Sequence, residues 1–288
     1  MSSQQDFFQG QFVQEQHHLS RQHPFHLVEL SPWPIITAFS LLLLTSGAVM
    51  MMHGHDFGEY VSIAGVLSII FCCYSWWRDV IKEGRVGNHH TDKVRTGLKI
   101  GMALFILSEV MFFFAFFFSY FSSSLFPSGI LDGLWVVGAG TWPPKNIETF
   151  DPWDIPFMNT LILLLSGTTV TWAHHAILEN DQKSSVKALG ITILLGISFT
   201  CLQVYEYHHA HFGLSDGVYA ANFYLATGFH GLHVMLGTTF LIICYFRAKN
   251  GHFVAGNGHL GFEFAAWYWH FVDVVWLFLF IFVYVLGR

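Results

Sequence analysis

Seven predominantly apolar stretches dominate this sequence, at about 33–52, 60–77, 97–121, 157–175, 187–207, 229–246 and 265–286. A hydrocarbon core of about 30 Å takes roughly 20 helical residues at about 1.5 Å each, so every stretch is long enough to cross a bilayer. Lipid offers no water to a backbone N–H or C=O, and open runs of this length must therefore be helical. The eight prolines (Pro24, Pro32, Pro34, Pro127, Pro143, Pro144, Pro152 and Pro156) are read as flanking the runs, where a missing N–H costs nothing. No internal repeat is visible, which gives an inverted-repeat transporter no support.

Composition closes off the other classes. Charged residues make up 11% of the chain, against about 25% in soluble domains. The formal charge of -6 and the 31 Phe residues leave no basic surface for nucleic acid. The expected fold is an all-α integral membrane protein of seven transmembrane helices, with a polar tail over 1–30 and one domain over 31–288. Of the 13 Lys and Arg residues, only Lys145 and Arg288 fall on one set of connecting segments; the rest fall on the other. The positive-inside rule then places the N-terminus inside and the C-terminus outside. The tail lacks the Arg-rich, acid-poor pattern of a transit peptide and the apolar core of a signal peptide. The inner loop 78–96 is polar and basic. The outer loop 122–156, rich in Trp, Pro and Gly, reads as a packed cap. Cys72, Cys73, Cys201 and Cys244 sit in apolar runs and read as small core residues, without disulfide or zinc spacing.

Few residues in the spans can carry chemistry. Glu109 lies midway along its run, roughly 18 Å from either end. Ionised and facing lipid, it would cost at least about 2.5 kcal/mol. It is therefore expected to be protonated, or to face a partner, water or a lipid, and a proton-linked or lipid-contacting role is favoured over a merely satisfied acid. His270 and Asp273 are three apart on one helical face. They read as a buried polar pair clamping helices, with a metal-orienting or relay role as the sharper alternative. His230 and His233 are placed at the start of the sixth span, on the outer side, and His270 at the inner start of the seventh; that mismatch of depth argues against bis-His haem ligation. His174, His175, His208, His209 and His211 read as interfacial. At the inner end of the second span, Trp76, Trp77, Arg78 and Lys82, with His89, His90 and Arg247 on the same side, suit anionic lipid head groups or ordinary positive-inside charge.

Long, specific segments carry a family resemblance: SPWP (31–34), WWRDVIKEG (76–84), HHT (89–91), SEVMFFFAFF (108–117), WPP (142–144), DPWDIPFMNTLILLLSG (151–167), TWAHHAIL (171–178), SDGVY (215–219), ATGFHGLHV (226–234) and GFEFAAWYWHFVDVVWLFLF (261–280). The chain resembles cytochrome c oxidase subunit III over about residues 24–287. The resemblance implies two helices and five helices forming a V-shaped cleft filled with phospholipid. It implies a non-redox subunit that contacts subunit I, accompanies subunit II, sustains proton uptake and protects the catalytic core. The chain would bind no cofactor beyond structural phospholipid; haem a and copper would belong to the partner subunits. Glu109 matches the family's carbodiimide-reactive carboxyl. Trp77, His90 and Arg247 match lipid-contacting positions. Lys82 stands where relatives can carry Arg, and loses the bidentate fork. No metal ligand and no catalytic residue is expected in this chain, and the membrane is mitochondrial inner or bacterial plasma. The tail 1–23 and the segment 126–141 receive no role. Two other readings are an autonomous proton or ion transporter using Glu109, which dye-loaded liposomes would test, and a membrane b-haem protein built on His230, His233 and His270, which a Soret band would reveal.

Overall fold

The computed structural model describes residues 25–26, 30–86, 90–127, 141–144, 147–253 and 259–288. Among these, seven helices are long and apolar enough to cross a membrane. They are α1 (Trp33–Met52), α2 (Gly58–Val86), α3 (Asp92–Leu125), α4 (Ile155–Leu178), α5 (Gln182–His208), α6 (Val218–Lys249) and α7 (Leu260–Leu279), the last widening into a π-helical turn over Phe280–Val285. The chain divides into two compact units, 1–98 and 99–288. Pro34 and Pro156, read as flanking residues, instead lie inside the first turns of α1 and α4. That position has no intrahelical acceptor for an N–H, so the ring costs nothing there.

In the first unit, α1 packs against α2. Small residues make this possible, because apolar side chains gain nothing by leaving lipid for one another. Ser40 and Gly47, seven apart, are the buried positions of α1. Gly65 of α2 lies so near Leu44 that a Cβ there would stand 2.6 Å from the Leu44 Cα. At one end of the pair the Trp33 indole donates to Asp79 Oδ2 at 2.7 Å.

In the second unit, α4 packs on α5, α5 on α6, α6 on α7 and α7 back on α4. Helix α7 brings large side chains to the core: Phe262, Trp269, Val272, Trp276 and Leu279 are buried. Its two tryptophans are anchored on α4, the Trp269 indole donating to Ser166 Oγ at 2.8 Å and the Trp276 indole to Thr160 Oγ1 at 2.9 Å. The Trp269 ring lies between two glycines; a Cβ on Gly196 of α5 would be 2.8 Å from it, and one on Gly237 of α6 would be 2.9 Å from it. Helix α3 joins the group through side chains: Ser119 donates to Asn222 Oδ1 of α6 at 2.8 Å, and Phe113 packs on Phe271 of α7. The described parts of the 122–156 connection also pack inward, Trp142 against Tyr120 and Tyr219, and Phe150 against Phe223. Asp181 caps α5, accepting from the Ser184 amide at 3.1 Å, and the Ser184 hydrogen bonds hold its carboxyl below the usual range.

Because the Trp269 ring cannot retreat from both neighbours, Gly196→Val is expected to destabilise the chain by about 1–3 kcal/mol, the cost of overpacking a core. A thermal melt of the detergent-purified protein checks this, and an unchanged midpoint would count against the packing described.

Candidate functional site

Glu109 finds its partner across α3 and α6. Its Oε2 lies 2.8 Å from Nε2 of His233. The other ring nitrogen, Nδ1, is 2.6 Å from the Phe229 carbonyl one turn earlier on α6. A carbonyl only accepts, so Nδ1 carries a hydrogen. The contact on Nε2 then needs one more proton between nitrogen and carboxyl oxygen. That proton makes either an imidazolium facing a carboxylate or a neutral imidazole facing a carboxylic acid. In both forms the pair holds one shared proton and no net charge. The Glu109 side chain is 22% exposed and that of His233 9%. Aromatic rings enclose the imidazole: Phe113 at 5.0 Å, Phe112 at 6.0 Å and Tyr268 at 6.3 Å between centroids.

This geometry corrects one sequence expectation. His230 and His233 were expected at the outer start of the sixth span, at about 229. Helix α6 begins at Val218 and runs to Lys249, so both histidines stand well inside it. The first three turns read as loop because they carry Asn222 and Gly228; Asn222 is buried and satisfied by Ser119. The three histidines considered for haem face three different neighbours. His230 Nε2 lies 3.2 Å from the Val272 carbonyl, His233 faces Glu109, and His270 Nε2 lies 3.3 Å from Thr171 Oγ1.

The His270–Asp273 pair joins α7 to α4. Nδ1 and Oδ2 are 3.8 Å apart, too far for a hydrogen bond. A Cβ on Gly167 of α4 would meet Asp273 Oδ2 at 2.6 Å, so the carboxyl occupies the notch this glycine leaves. Trp77 and Lys82 are exposed on α2, and His90 is half-buried with its ring edge-on to His26. These three belong to the first unit. Arg247, near the end of α6 in the second, lies over the Phe253 ring at 4.8 Å. His89, most of the tail and nearly all of the segment 126–141 lie outside the described residues.

Two groups escaped the sequence reading. Glu206, near the end of α5, is 1% exposed and accepts from the Tyr284 hydroxyl at 2.7 Å. Its place in VYEYHH marks a helix end, and nothing local marks it as interior; the partner comes from the widened last turn of α7. At the opposite end of this unit, His259 Nε2 meets Glu263 Oε1 at 3.0 Å, and Lys99 Nζ meets Oε2 at 2.9 Å. Donor atoms of His174, His259 and Glu263 lie within 4.8 Å of one another, the one group among the described residues that could ligate a metal. Two imidazoles and a carboxylate are a donor set that zinc accepts. The Lys99 ammonium competes for that carboxylate and completes an ion pair there by itself.

A family model for cytochrome c oxidase subunit III matches residues 23–288. The chain is 66% identical over 272 residues to a probable cytochrome c oxidase subunit 3 of Rickettsia felis, covering 94% of this chain and 98% of that one. It is 54% identical over 267 residues to cytochrome c oxidase subunit 3 of Prototheca wickerhamii, covering 93% and 99%. It is 51% identical over 265 residues to that of Dugong dugon, covering 92% and 98%.

If Glu109 and His233 share a proton, their substitutions are not additive. Glu109→Leu and His233→Leu each strand a polar partner in an aromatic shell, and the double variant strands none. A double-mutant cycle on thermal stability is expected to give a coupling of about 1–3 kcal/mol; additive losses would mean the contact is not a bonded pair.

Proposed function

The chain belongs to the cytochrome c oxidase subunit III family, and from that membership we propose that it is the non-redox flank of the oxidase, steadying subunit I, holding phospholipid and sustaining proton uptake. It is a subunit of an oxidoreductase complex and an integral protein of an energy-transducing membrane. Electron transfer to O₂ then belongs to haem a and copper in subunits I and II, and this chain acts on protons and lipid alone. In this reading its N-terminus faces inside and its C-terminus outside, as the Lys and Arg distribution requires.

The observation that carries the proton role is the Glu109–His233 contact at 2.8 Å. A pair that already holds one proton between two bases can pass it between ring and carboxyl without placing a net charge in hydrocarbon. Aromatic rings enclose the imidazole, and 22% of the Glu109 side chain stays open to its surroundings. In this reading His89, His90 and His174 collect protons at the inner surface, since an imidazole side chain can accept and pass on a proton. Trp77, Lys82, His90 and Arg247 are the proposed lipid contacts, with Lys82 serving a phosphate as a point charge. His270 and Asp273 are assigned a clamping role between α4 and α7, consistent with the close fit of the carboxyl at Gly167.

In the assembled oxidase, Glu109→Gln and His233→Leu are each expected to slow proton uptake severalfold, with the deficit growing as pH rises and external protons become scarce. Time-resolved proton uptake at neutral and alkaline pH reads this; uptake unchanged at alkaline pH would remove the pair from the pathway. Replacing His89, His90 and His174 together is expected to slow alkaline turnover, and unaltered turnover there would refute the collecting role.

A further inference from the structure

At one end of the second unit, where α5 begins and α6 ends, the surface holds a recess of about 460 Å³. Three lysines line it: Lys183 and Lys187, one turn apart on the same face of α5, and Lys249 in the last turn of α6. All three are exposed. Among the described residues none of them forms an ion pair, whereas Arg78, Lys99 and Arg288 do. Asp181, at the same end of α5, turns both carboxylate oxygens to Ser184, at 3.1 and 2.5 Å. Asp181 also attracts Lys183, and with three lysines against that one carboxylate the rim keeps a positive balance.

Below the lysines the lining changes to Val186, Gly190 and Tyr245. Gly190 matters here, because a Cβ on it would come to 3.7 Å from the Tyr245 ring and fill the gap between the helices. The recess is also rigid at its rim. The Gln182 side-chain amide donates to the Ala248 carbonyl at 2.9 Å and the Lys249 carbonyl at 3.0 Å, tying the start of α5 to the end of α6. Those two carbonyls are thereby satisfied and turned away from an incoming anion. Arg247 takes no part; it lies against Phe253 and next to Gly261.

Both helices are membrane-spanning, so the recess sits where a span leaves the hydrocarbon. Clustered cations over an apolar, aromatic floor at that depth match a ligand with an anionic head and an alkyl tail. We propose that the recess is a binding site for an anionic phospholipid, its phosphate among Lys183, Lys187 and Lys249 and an acyl chain along Val186, Gly190 and Tyr245. The site is separate from the lipid contacts assigned above, and it rests on the membrane placement of α5 and α6, not on the proton role of Glu109.

The test uses the intact membrane assembly in phosphatidylcholine nanodiscs carrying a trace of photoactivatable phosphatidylglycerol, with cross-linked peptides mapped by mass spectrometry. The peptides spanning 182–190 and 245–249 are expected to label about tenfold more strongly with this probe than with photoactivatable phosphatidylcholine. Labelling should vanish in Lys183→Ala/Lys187→Ala/Lys249→Ala and persist in the matching triple Arg variant. Equal labelling by the two probes, or labelling that survives loss of the lysines, overturns the proposal. Full displacement by inorganic phosphate would reassign the recess to a soluble anion. Should the triple Ala variant fail to assemble, Lys187→Gln with a salt titration replaces it, and labelling indifferent to both would overturn the proposal equally.

Discussion

A polar group inside a hydrocarbon layer has no water to fall back on, and the second unit is arranged around that fact. Four of its interior tryptophans and tyrosines are answered from another helix, whereas the Thr238 and Tyr120 hydroxyls have no hydrogen-bond partner among the described residues. Trp269 is met by Ser166, Trp276 by Thr160, Tyr207 by Thr227 and Tyr284 by Glu206. Apolar contact does little to order helices that lipid solvates equally well on every side. The hydrogen bonds supply what the hydrophobic effect cannot, namely a preferred rotation and height for each helix. The glycines on either side of Trp269 then let those helices approach closely enough for the bonds to form.

The Glu109–His233 contact obeys the same rule by different means. A buried ion pair ordinarily has to recover the desolvation of two charges, and the attraction often fails to do so. Here one proton between two bases removes the need, since the neutral form of the pair is always available. The aromatic rings around the imidazole add apolar bulk, and the Phe229 carbonyl fixes which nitrogen faces the acid. Asp273 shows a weaker version, a carboxyl fitted into a glycine notch with its histidine 3.8 Å away, beyond hydrogen-bond reach.

Much of this was legible from residue order, and the failures have a common cause. Span count follows from run length, because length in lipid is fixed by bilayer thickness. Glu109 stood out because it is the one acid in its run and lies midway along it. Helix α6 was cut short because Asn222 and Gly228 look like loop residues, although Asn222 is paired with Ser119 at 2.8 Å. That error of eleven residues, 218 against 229, displaced His233 from the depth of Glu109 and hid the pair. Glu206 was overlooked for a related reason. Its partner Tyr284 lies 78 residues away on a turn that departs from the 3.6-residue period, so no local pattern announces it. What sequence periodicity conveys is which face a residue takes; what it omits is which distant face it meets.

The shared proton has an electrical consequence. The formal charge of -6 counts Glu109 as an anion and His233 as neutral, which makes it one unit too negative once the two are taken together. A pair with no net charge feels no pull from the voltage across the membrane. Only transfer of the proton between ring and carboxyl would couple to that voltage, over at most the 2.8 Å that separates the two atoms. Against a layer of about 30 Å and about 2.3 kcal/mol per charge at 100 mV, the coupling is at most about 0.2 kcal/mol. An acid–base couple held in this way is therefore nearly blind to a voltage across the membrane.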